Sequence, residues 1–183
     1  MSIEITTPIN KEELKKLKAG DSILLSGVIY TARDAAHERM VSDYKKGIPF
    51  PIDLNNQVIY YAGPCPAKPG EVIGSCGPTT SGRMDKYTPL LLDNGLAIMI
   101  GKGSRSKEVT DAIIRNGCIY LGAIGGAGAL ISQCIKKAEV ICYEDLGTEA
   151  IRRLEVQNLP LVVLTDSLGN DLYKIGQKEY SEK

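Results

Sequence analysis

Hydrophobic and polar positions along the chain follow two patterns, short apolar runs and longer stretches of helical composition. The apolar runs predict strands at 21–32, 57–63, 96–101, 118–123 and 138–144. The other stretches predict helices at 11–18, 32–47, 105–117 and 125–137. Short strands that alternate with helices indicate an α/β fold with some parallel strand pairing.

Other segments predict less regular structure. Gly27 interrupts the first strand and predicts a bulge or bend. A short strand from Val72 leads into a turn rich in small polar residues, and a helix is predicted near Thr88. The tail, 152–176, predicts two or three strands joined by a Gly-Asn-Asp turn. Because no repeat or linker divides the chain, we expect a single domain over residues 1–183.

Charge and composition exclude several classes of function. Among 183 residues, 22 are basic and 22 acidic, so the chain has no bulk positive field for nucleic acid or anionic lipid. Aromatic residues make up only 5%, which disfavours base-stacking surfaces. The polar N-terminus shows no signal peptide, and no run of about 18 apolar residues predicts a membrane span. We therefore expect a cytoplasmic protein whose anion sites use a few positioned cations.

The cysteines do not form a recognisable ligand or disulfide pattern. Their number is odd, they contain no C-x-x-C spacing, and they stand at Cys65, Cys76, Cys118, Cys134 and Cys142. The chain has one histidine, His37, which disfavours a zinc site made by this chain alone. We expect reduced thiols, most of them buried.

Two loops combine small polar residues with a cation. Residues 32–37 place Arg33 at a strand-to-helix junction, where open α/β sheets commonly bind ligands. An Arg33–Asp34 surface pair with a solvated His37 is the plainer alternative. The second loop, 77–85, has three consecutive hydroxyl residues and closes on an arginine, which suits a small anion but also a solvent loop.

Two further loops are rich in glycine. Residues 101–106 follow a strand and place Lys102 between glycines, with Ser104 or Ser106 available to cap the next helix. Residues 122–128 lack the glycine spacing of a dinucleotide-binding turn, so a close contact permitted by small residues is the favoured interpretation. The cations of these loops, namely Arg33, Arg83, Lys102 and Arg105, would suit a small molecule with two carboxylates.

Several of these segments together resemble one family. They are ARDAAHERM (32–40), YYAGPCPAKPGEVIGSCGPTTSGRMDKYTP (60–89), IGKGSRS (100–106) and LGAIGGAGALIS (121–132). In this order they closely resemble the class I (iron–sulfur) fumarate hydratases, in particular their beta subunit or the C-terminal domain of the single-chain enzymes. Tartrate dehydratase beta subunits share the pattern, and the resemblance extends roughly over residues 21–173.

The resemblance implies a fold and a partner. The fold would be a swivelling β/β/α domain with a mixed sheet and flanking helices, packed on a mostly helical alpha subunit. Three cysteines of that subunit would hold a [4Fe–4S] cluster whose open iron acts as a Lewis acid on the substrate hydroxyl. The active species would be a hetero-oligomer, and this chain alone would be inactive, with a homodimer as one form of the isolated chain.

The resemblance also implies roles for individual residues. Thr79 would be the base that takes the C3 proton of malate, activated by an aspartate of the partner because a threonine hydroxyl is a poor base alone. The dicarboxylate would be bound by Arg33, Arg83 and Lys102. His37 and Arg105 are further candidates whose contact with substrate is left open.

Three other functions remain open from the sequence. L-tartrate dehydration would use the same dicarboxylate clamp, and one extra hydroxyl distinguishes the substrates. A swivelling phosphohistidine carrier would need an exposed, mobile His37. A subunit that only stabilises its partner would not need Thr79.

Overall fold

The computed structural model describes residues 2–123 and 127–181. Its seven strands are β1 (Ile3–Thr6), β2 (Ser22–Thr31), β3 (Val58–Tyr60), β4 (Ile98–Gly101), β5 (Ile119–Gly122), β6 (Ile135–Cys142) and β7 (Ile151–Thr165). Its helices are α1 (Lys11–Leu14), α2 (Asp34–Lys45), α3 (Thr88–Asp93), α4 (Lys107–Asn116), α5 (Gly128–Cys134) and α6 (Leu172–Tyr180). Two 3₁₀ turns span Ser81–Met84 and Glu144–Glu149. The predicted α/β class with a mixed sheet is confirmed.

The sheet closes on itself through its longest strand. Strands β1 to β5 pair in parallel in chain order, whereas β7 runs antiparallel to β2, β5 and β6. Val162 of β7 pairs with Ser22 on one side and with Gly122 on the other. The strands β2, β3, β4, β5 and β7 therefore form a staggered ring.

The bulge predicted at Gly27 is confirmed. The register between β2 and β7 shifts between Leu25 and Gly27, and Gly27 has a φ of 108°. A Cβ at this position would lie 2.9 Å from the carbonyl oxygen of Thr7. Glycine is thus required both by the left-handed backbone and by the close approach of the chain after β1.

The ring buries side chains on both of its faces. Val58 and Tyr60 of β3 belong to the apolar cluster inside the ring, whereas Ile59 and Tyr61 belong to the cluster under α2, α3 and α4. Successive residues of a strand face opposite sides, so a strand buried on both sides needs apolar residues throughout. This explains why the sequence shows continuous apolar runs.

The helix signals in the sequence act as predicted at several ends. Asn10 caps α1, its side chain accepting a hydrogen bond from the Glu12 amide at 3.0 Å. Ser106 caps α4, and Gly117 ends that helix in the left-handed conformation with φ 63°. Capping groups satisfy the free amides and carbonyls of a helix end, so these boundaries follow from local sequence.

Three expectations about elements were wrong, and one strand, β1, was not predicted. The predicted strand from Val72 is irregular chain, the polar N-terminus forms β1, and α1 is half the length expected. The tail forms one long strand, β7, and the Gly-Asn-Asp turn leads into α6. β7 stays continuous because it finds partners on both edges, and Asp171 caps α6 by accepting from the Tyr173 amide.

One predicted element falls partly outside the described residues. The helix expected at 125–137 is described as α5 from Gly128 to Cys134, and residues 124–126 lie outside the description. The expectation was wrong at 135–137, where the chain has already entered strand β6. Within the described part of the chain, no helix is long and apolar enough to cross a membrane.

His37, on α2, is fully buried rather than solvated. Its Nδ1 lies 3.0 Å from the Arg33 carbonyl oxygen and donates to it, because a carbonyl can only accept. Its Nε2 has no hydrogen-bond partner in the described structure, and the ring packs edge-on against Tyr61. Burial lowers the pKa of His37 from 6.5 to about 4, helped by the positive charge of Arg105 and opposed by the Arg33 carbonyl and Asp34.

The low pKa of His37 predicts a loss of stability in mild acid. Between pH 6.5 and 4 the unfolded chain binds a proton at His37 that the folded chain rejects, so the free energy of unfolding falls by about 3 kcal/mol as the pH decreases through this window. Above pH 6.5 the group contributes no pH dependence.

Urea unfolding of the wild type and of His37→Gln, measured from pH 7.5 to 4, tests this prediction. Carboxylates titrate in both proteins, so the informative quantity is the difference between their unfolding free energies. We expect that difference to be constant above neutrality and to shift by about 3 kcal/mol against the wild type toward pH 4. A difference that stays constant over the whole range would contradict the buried, neutral assignment.

Candidate active site

The loops singled out in the sequence meet at one edge of the sheet. The last residues of neighbouring parallel strands lie in register, with Thr31 opposite Tyr60 and Gly101 opposite Gly122. Arg33 follows β2 and Lys102 follows β4 at this edge. Carboxyl ends of parallel strands are where α/β sheets most often bind ligands.

The polar turn after residue 77 inserts between the ends of β3 and β4. Pro78 forms an antiparallel bridge with Ala62, and Thr80 forms a parallel bridge with Lys102. Between these bridges the amide of Thr79 donates to the carbonyl oxygen of Tyr61 at 2.7 Å. The turn is therefore held by backbone bonds on both sides, which fixes Thr79 beside the loop of Lys102.

The three candidate groups around this turn are open to solvent or partly so. Thr79 is half-buried, and its hydroxyl makes no hydrogen bond within residues 2–123 and 127–181. Arg83 lies exposed on the 3₁₀ turn and Lys102 is exposed after β4. Neither cation forms an ion pair with another described residue, so each retains its full charge for a ligand.

Arg33 is oriented by two carboxylates. Its Nε lies 2.8 Å from Oε1 of Glu149 and 3.1 Å from Oδ2 of Asp34. The guanidinium also lies over Gly63, where a Cβ would come within 3.2 Å of Nη1. Its Nη groups make no hydrogen bond to any residue that the structure describes, so the outer edge of the fork is available for a carboxylate.

Glu149 is a site residue that sequence reasoning missed. Besides holding Arg33, its Oε2 accepts a hydrogen bond from the Ala35 amide at 3.0 Å, at the start of α2. The carboxylate thus satisfies a free amide of the helix end as well as the cation. Glu149 lies 114 residues from Ala35 in the chain, so only the tertiary structure brings the two together.

Arg105 lies beneath the site rather than on its surface. Its side chain is 1% exposed, and its guanidinium donates to Oδ1 of Asp85 at 2.7 Å and to the Thr88 hydroxyl at 2.9 Å. The charge lies over the rings of Tyr61 and Tyr120, at 5.2 and 4.9 Å from their centres. Arg105 is therefore occupied by protein contacts and supports the polar turn from below.

Asp85 is a second residue whose role the sequence did not reveal. Its Oδ2 accepts from the Ser106 amide at 2.7 Å while Oδ1 binds Arg105. One carboxylate thereby ties the end of the 77–85 turn to the first residues of α4. The Gly-Arg-Met-Asp segment gives no local signal for this role, because its own arginine, Arg83, is exposed and Arg105 lies 20 residues away in the chain.

The buried position of His37 excludes one alternative function. A phosphohistidine carrier needs an imidazole that is exposed to its phosphoryl donor, whereas His37 is fully buried against Tyr61. The structure therefore places His37 against the Arg33 backbone and against Tyr61, whose carbonyl oxygen accepts from the Thr79 amide.

The described part of the glycine-rich segment 122–128 makes a close packing contact. The Cys76 amide donates to the Gly128 carbonyl at 3.1 Å, and a Cβ at Gly128 would lie 2.9 Å from the amide nitrogen of Gly77. Small residues thus allow α5 to begin against the polar turn. Residues 124–126 of this segment lie outside the described residues.

The cysteines do not fit an iron–sulfur cluster held by this chain. Within the described residues, no three His, Cys, Asp or Glu side chains are grouped as metal ligands. Burial raises the pKa of Cys76 to about 12 and that of Cys118 to about 11, which keeps both thiols protonated. Cys65 is exposed and all five thiols are free.

The candidate site residues do not line the two clefts beside loop 64–75. These clefts have volumes of about 460 and 610 Å³ and are lined by that loop together with parts of α5 and β6. Arg33, Thr79, Arg83 and Lys102 belong to neither. In this chain the candidate site is an exposed surface at the strand ends.

Comparison with known proteins identifies the family. The family described as "Fumarase C-terminus" matches residues 1–176. Fumarate hydratase 2 of Leishmania major is 38% identical over 177 residues, which are 94% of this chain and 31% of that protein. The anaerobic class I fumarate hydratase of Escherichia coli (strain K12) is 38% identical over 178 residues, 95% of this chain and 32% of that protein.

A relative of similar length is also found. "Putative L(+)-tartrate dehydratase subunit beta" of Methanocaldococcus jannaschii is 39% identical over 181 residues, 96% of this chain and 93% of that protein. This chain thus spans about a third of the length of the fumarate hydratases and nearly all of the beta-subunit relative. The resemblance seen in the motifs is confirmed, and the chain belongs to the Fumarase C-terminus family.

Proposed function

We propose that this chain is the beta subunit of a two-subunit hydro-lyase that reversibly hydrates fumarate to L-malate. The observation that carries the proposal is the half-buried Thr79 on an exposed strand-end surface that also carries Arg33, Arg83 and Lys102. Three cations on one surface suit a small dicarboxylate, because each carboxylate can be bound at its own end.

The proposal includes a partner chain. This chain corresponds to about a third of the fumarate hydratases that it resembles, and its cysteines do not fit a cluster. We infer that the remaining part of the active site, with the [4Fe–4S] cluster, belongs to an alpha subunit. The exposed strand-end surface would face that subunit, and the complex would be a hetero-oligomer.

The residues of this chain would bind substrate and move one proton. The Nη edge of Arg33 and the guanidinium of Arg83 would each bind a carboxylate, and the Lys102 ammonium would counter the charge that grows on the carboxylate next to C3 as its proton leaves. Thr79 would accept that proton. No described residue hydrogen-bonds to its hydroxyl, so the activating carboxylate would come from the partner.

L-tartrate is the second candidate substrate. The beta-subunit relative from Methanocaldococcus jannaschii, which this chain matches over 93% of its length, carries tartrate in its name. A tartrate enzyme would need one additional hydrogen bond to a hydroxyl, and either subunit could supply it.

We expect the purified chain to be colourless and inactive with fumarate, malate and L-tartrate. Anaerobic co-expression with a chain corresponding to the rest of the fumarate hydratases should give a brown complex with activity. Assays of the complex with malate and L-tartrate side by side decide between the substrates. Iron–sulfur absorption or turnover by this chain alone would contradict the shared site.

Removing a cation from the strand-end surface should weaken catalysis by the complex. We expect Arg33→Ala and Arg83→Ala each to lower kcat/KM by a factor equivalent to about 2–4 kcal/mol, as for a charged hydrogen bond lost in a desolvated site. Lys102→Arg should also be impaired, because a planar guanidinium does not replace a compact ammonium between two glycines.

Arg115→Ala is the matched control for these variants. Arg115 is an exposed arginine of α4 that pairs with Asp93, away from the strand ends. Its loss should leave kcat/KM unchanged.

If Lys102→Arg were as active as the wild type, Lys102 would have no direct contact with substrate.

Thr79 should be the most sensitive position. Thr79→Ala should lower kcat by roughly 10²–10⁴-fold, the scale of a positioned acid–base group, while complex formation is retained. Thr79→Ser should keep partial activity, since the hydroxyl remains but its rotamer is less restrained.

Thr80 provides the adjacent control. Its backbone bridges Lys102 but its side chain is exposed, so Thr80→Ala should be far milder than Thr79→Ala. Steady-state kinetics of the three variants in the cluster-loaded complex decide the assignment. Equal losses for Thr79→Ala and Thr80→Ala, or full activity of Thr79→Ala, would show that the base is another residue; a subunit that only stabilises its partner would in addition leave the cation variants fully active.

A further inference from the structure

A buried tyrosine hydroxyl connects the two loops that form the strand-end surface. The Tyr120 hydroxyl, on β5, lies 2.9 Å from the Gly103 carbonyl oxygen and 2.8 Å from the Ser81 Oγ. The Lys102 amide lies 3.1 Å from the same Ser81 Oγ. One hydroxyl of the outer sheet face thus reaches both the turn that carries Thr79 and the loop that carries Lys102.

Donor and acceptor can be assigned in each of these three hydrogen bonds. The Gly103 carbonyl can only accept, so Tyr120 donates its one proton to it. Ser81 must then donate to the Tyr120 oxygen, and the Lys102 amide donates to Ser81. Burial raises the pKa of Tyr120, so its hydroxyl keeps the proton that this order requires.

Lys102 is held from several sides by this arrangement. Its carbonyl accepts from the Ser81 amide at 2.9 Å, its amide donates to the Ser81 hydroxyl, and the next carbonyl, of Gly103, accepts from Tyr120. Gly101 has no side chain, and a Cβ there would overlap the Ser81 Oγ. The Gly-Lys-Gly loop is therefore shaped around the Ser81–Tyr120 pair.

We propose that Tyr120 is a positioning residue, whose hydroxyl fixes the backbone of Lys102 relative to the Thr79 turn through Ser81 and Gly103. An effect of the Tyr120 hydroxyl on turnover rests on the proposed function, whereas its effect on the Lys102 loop does not. The Tyr120 ring packs under the Arg105 guanidinium independently of the hydroxyl, so the two contributions can be separated.

Tyr120→Phe removes the hydroxyl and keeps the ring. Amide hydrogen exchange of the full chain, followed residue by residue, should be at least about tenfold faster at Lys102 and Ser81 than in the wild type. The Thr7 amide, which donates to the Ser26 carbonyl oxygen next to β1, a strand that pairs only with β2, should exchange as before. Ser81→Ala should give the same local change and serves if Tyr120→Phe does not fold.

The second test of the Tyr120 proposal measures activity in the complex with the partner subunit. Tyr120→Phe should lower kcat/KM by about tenfold, mainly through a higher KM, and the double variant with Ser81→Ala should lose no more than either single variant. In a Lys102→Ala background, Tyr120→Phe should have little further effect. Ile23→Val, a core change near the other end of β2, should leave kcat/KM unchanged despite a lower Tm.

Two results would overturn the proposal. Unchanged exchange at Lys102 and Ser81 in Tyr120→Phe would show that the hydroxyl does not hold the loop, whatever the complex catalyses. An equal loss of kcat/KM with and without Lys102 would show that Tyr120 acts by another route. If no complex turned over either dicarboxylate, the exchange arm would still decide the positioning role and only the proposed function would fail.

Discussion

The double pairing of β7 is the constraint on which the rest of this structure depends. One strand bonds to β2 along most of its length and to β5 at its far end, so five strands close into a ring. The parallel pairs from β2 to β5 hold the carboxyl ends of these strands in register, so the loops that follow them meet at one edge, and β7 fixes the stagger with which the ring closes. A ring with no free edge between these strands also resists slippage, which would move every side chain to the wrong face.

A buried polar layer supports the irregular chain at that edge. The turn that carries Thr79 contributes Met84 to the apolar core, and its polar groups are held by hydrogen bonds among Arg105, Asp85, Ser81 and Tyr120. Each of these buried groups has a partner, which is the condition under which burying charge does not destabilise a fold. Above this layer the side chains of Thr79, Arg83 and Lys102 have no partner among the described residues, whereas Arg33 is oriented by Asp34 and Glu149 with its outer edge left free.

Local sequence decided more of the fold than of the site. Capping by Ser106, the bulge at Gly27 and the strands formed by apolar runs act through neighbours in the chain or through a simple pattern, and these were predicted. The continuity of β7 and the irregular chain after Val72 depend on distant partners. The family resemblance indicated Thr79 and the three candidate cations, because these residues lie in short motifs that can be recognised in the sequence.

By itself the sequence determined the α/β class, the order of its main strands and helices, and the loops in which polar chemistry is concentrated. The tertiary structure alone decided which cations remain available. It showed Arg105 bound beneath the turn and His37 buried, although both stand in motifs as polar as those of Arg33 and Lys102. The physical reason is that availability depends on partners such as Glu149 and Asp85, which chain folding brings from distant positions and which no local pattern specifies.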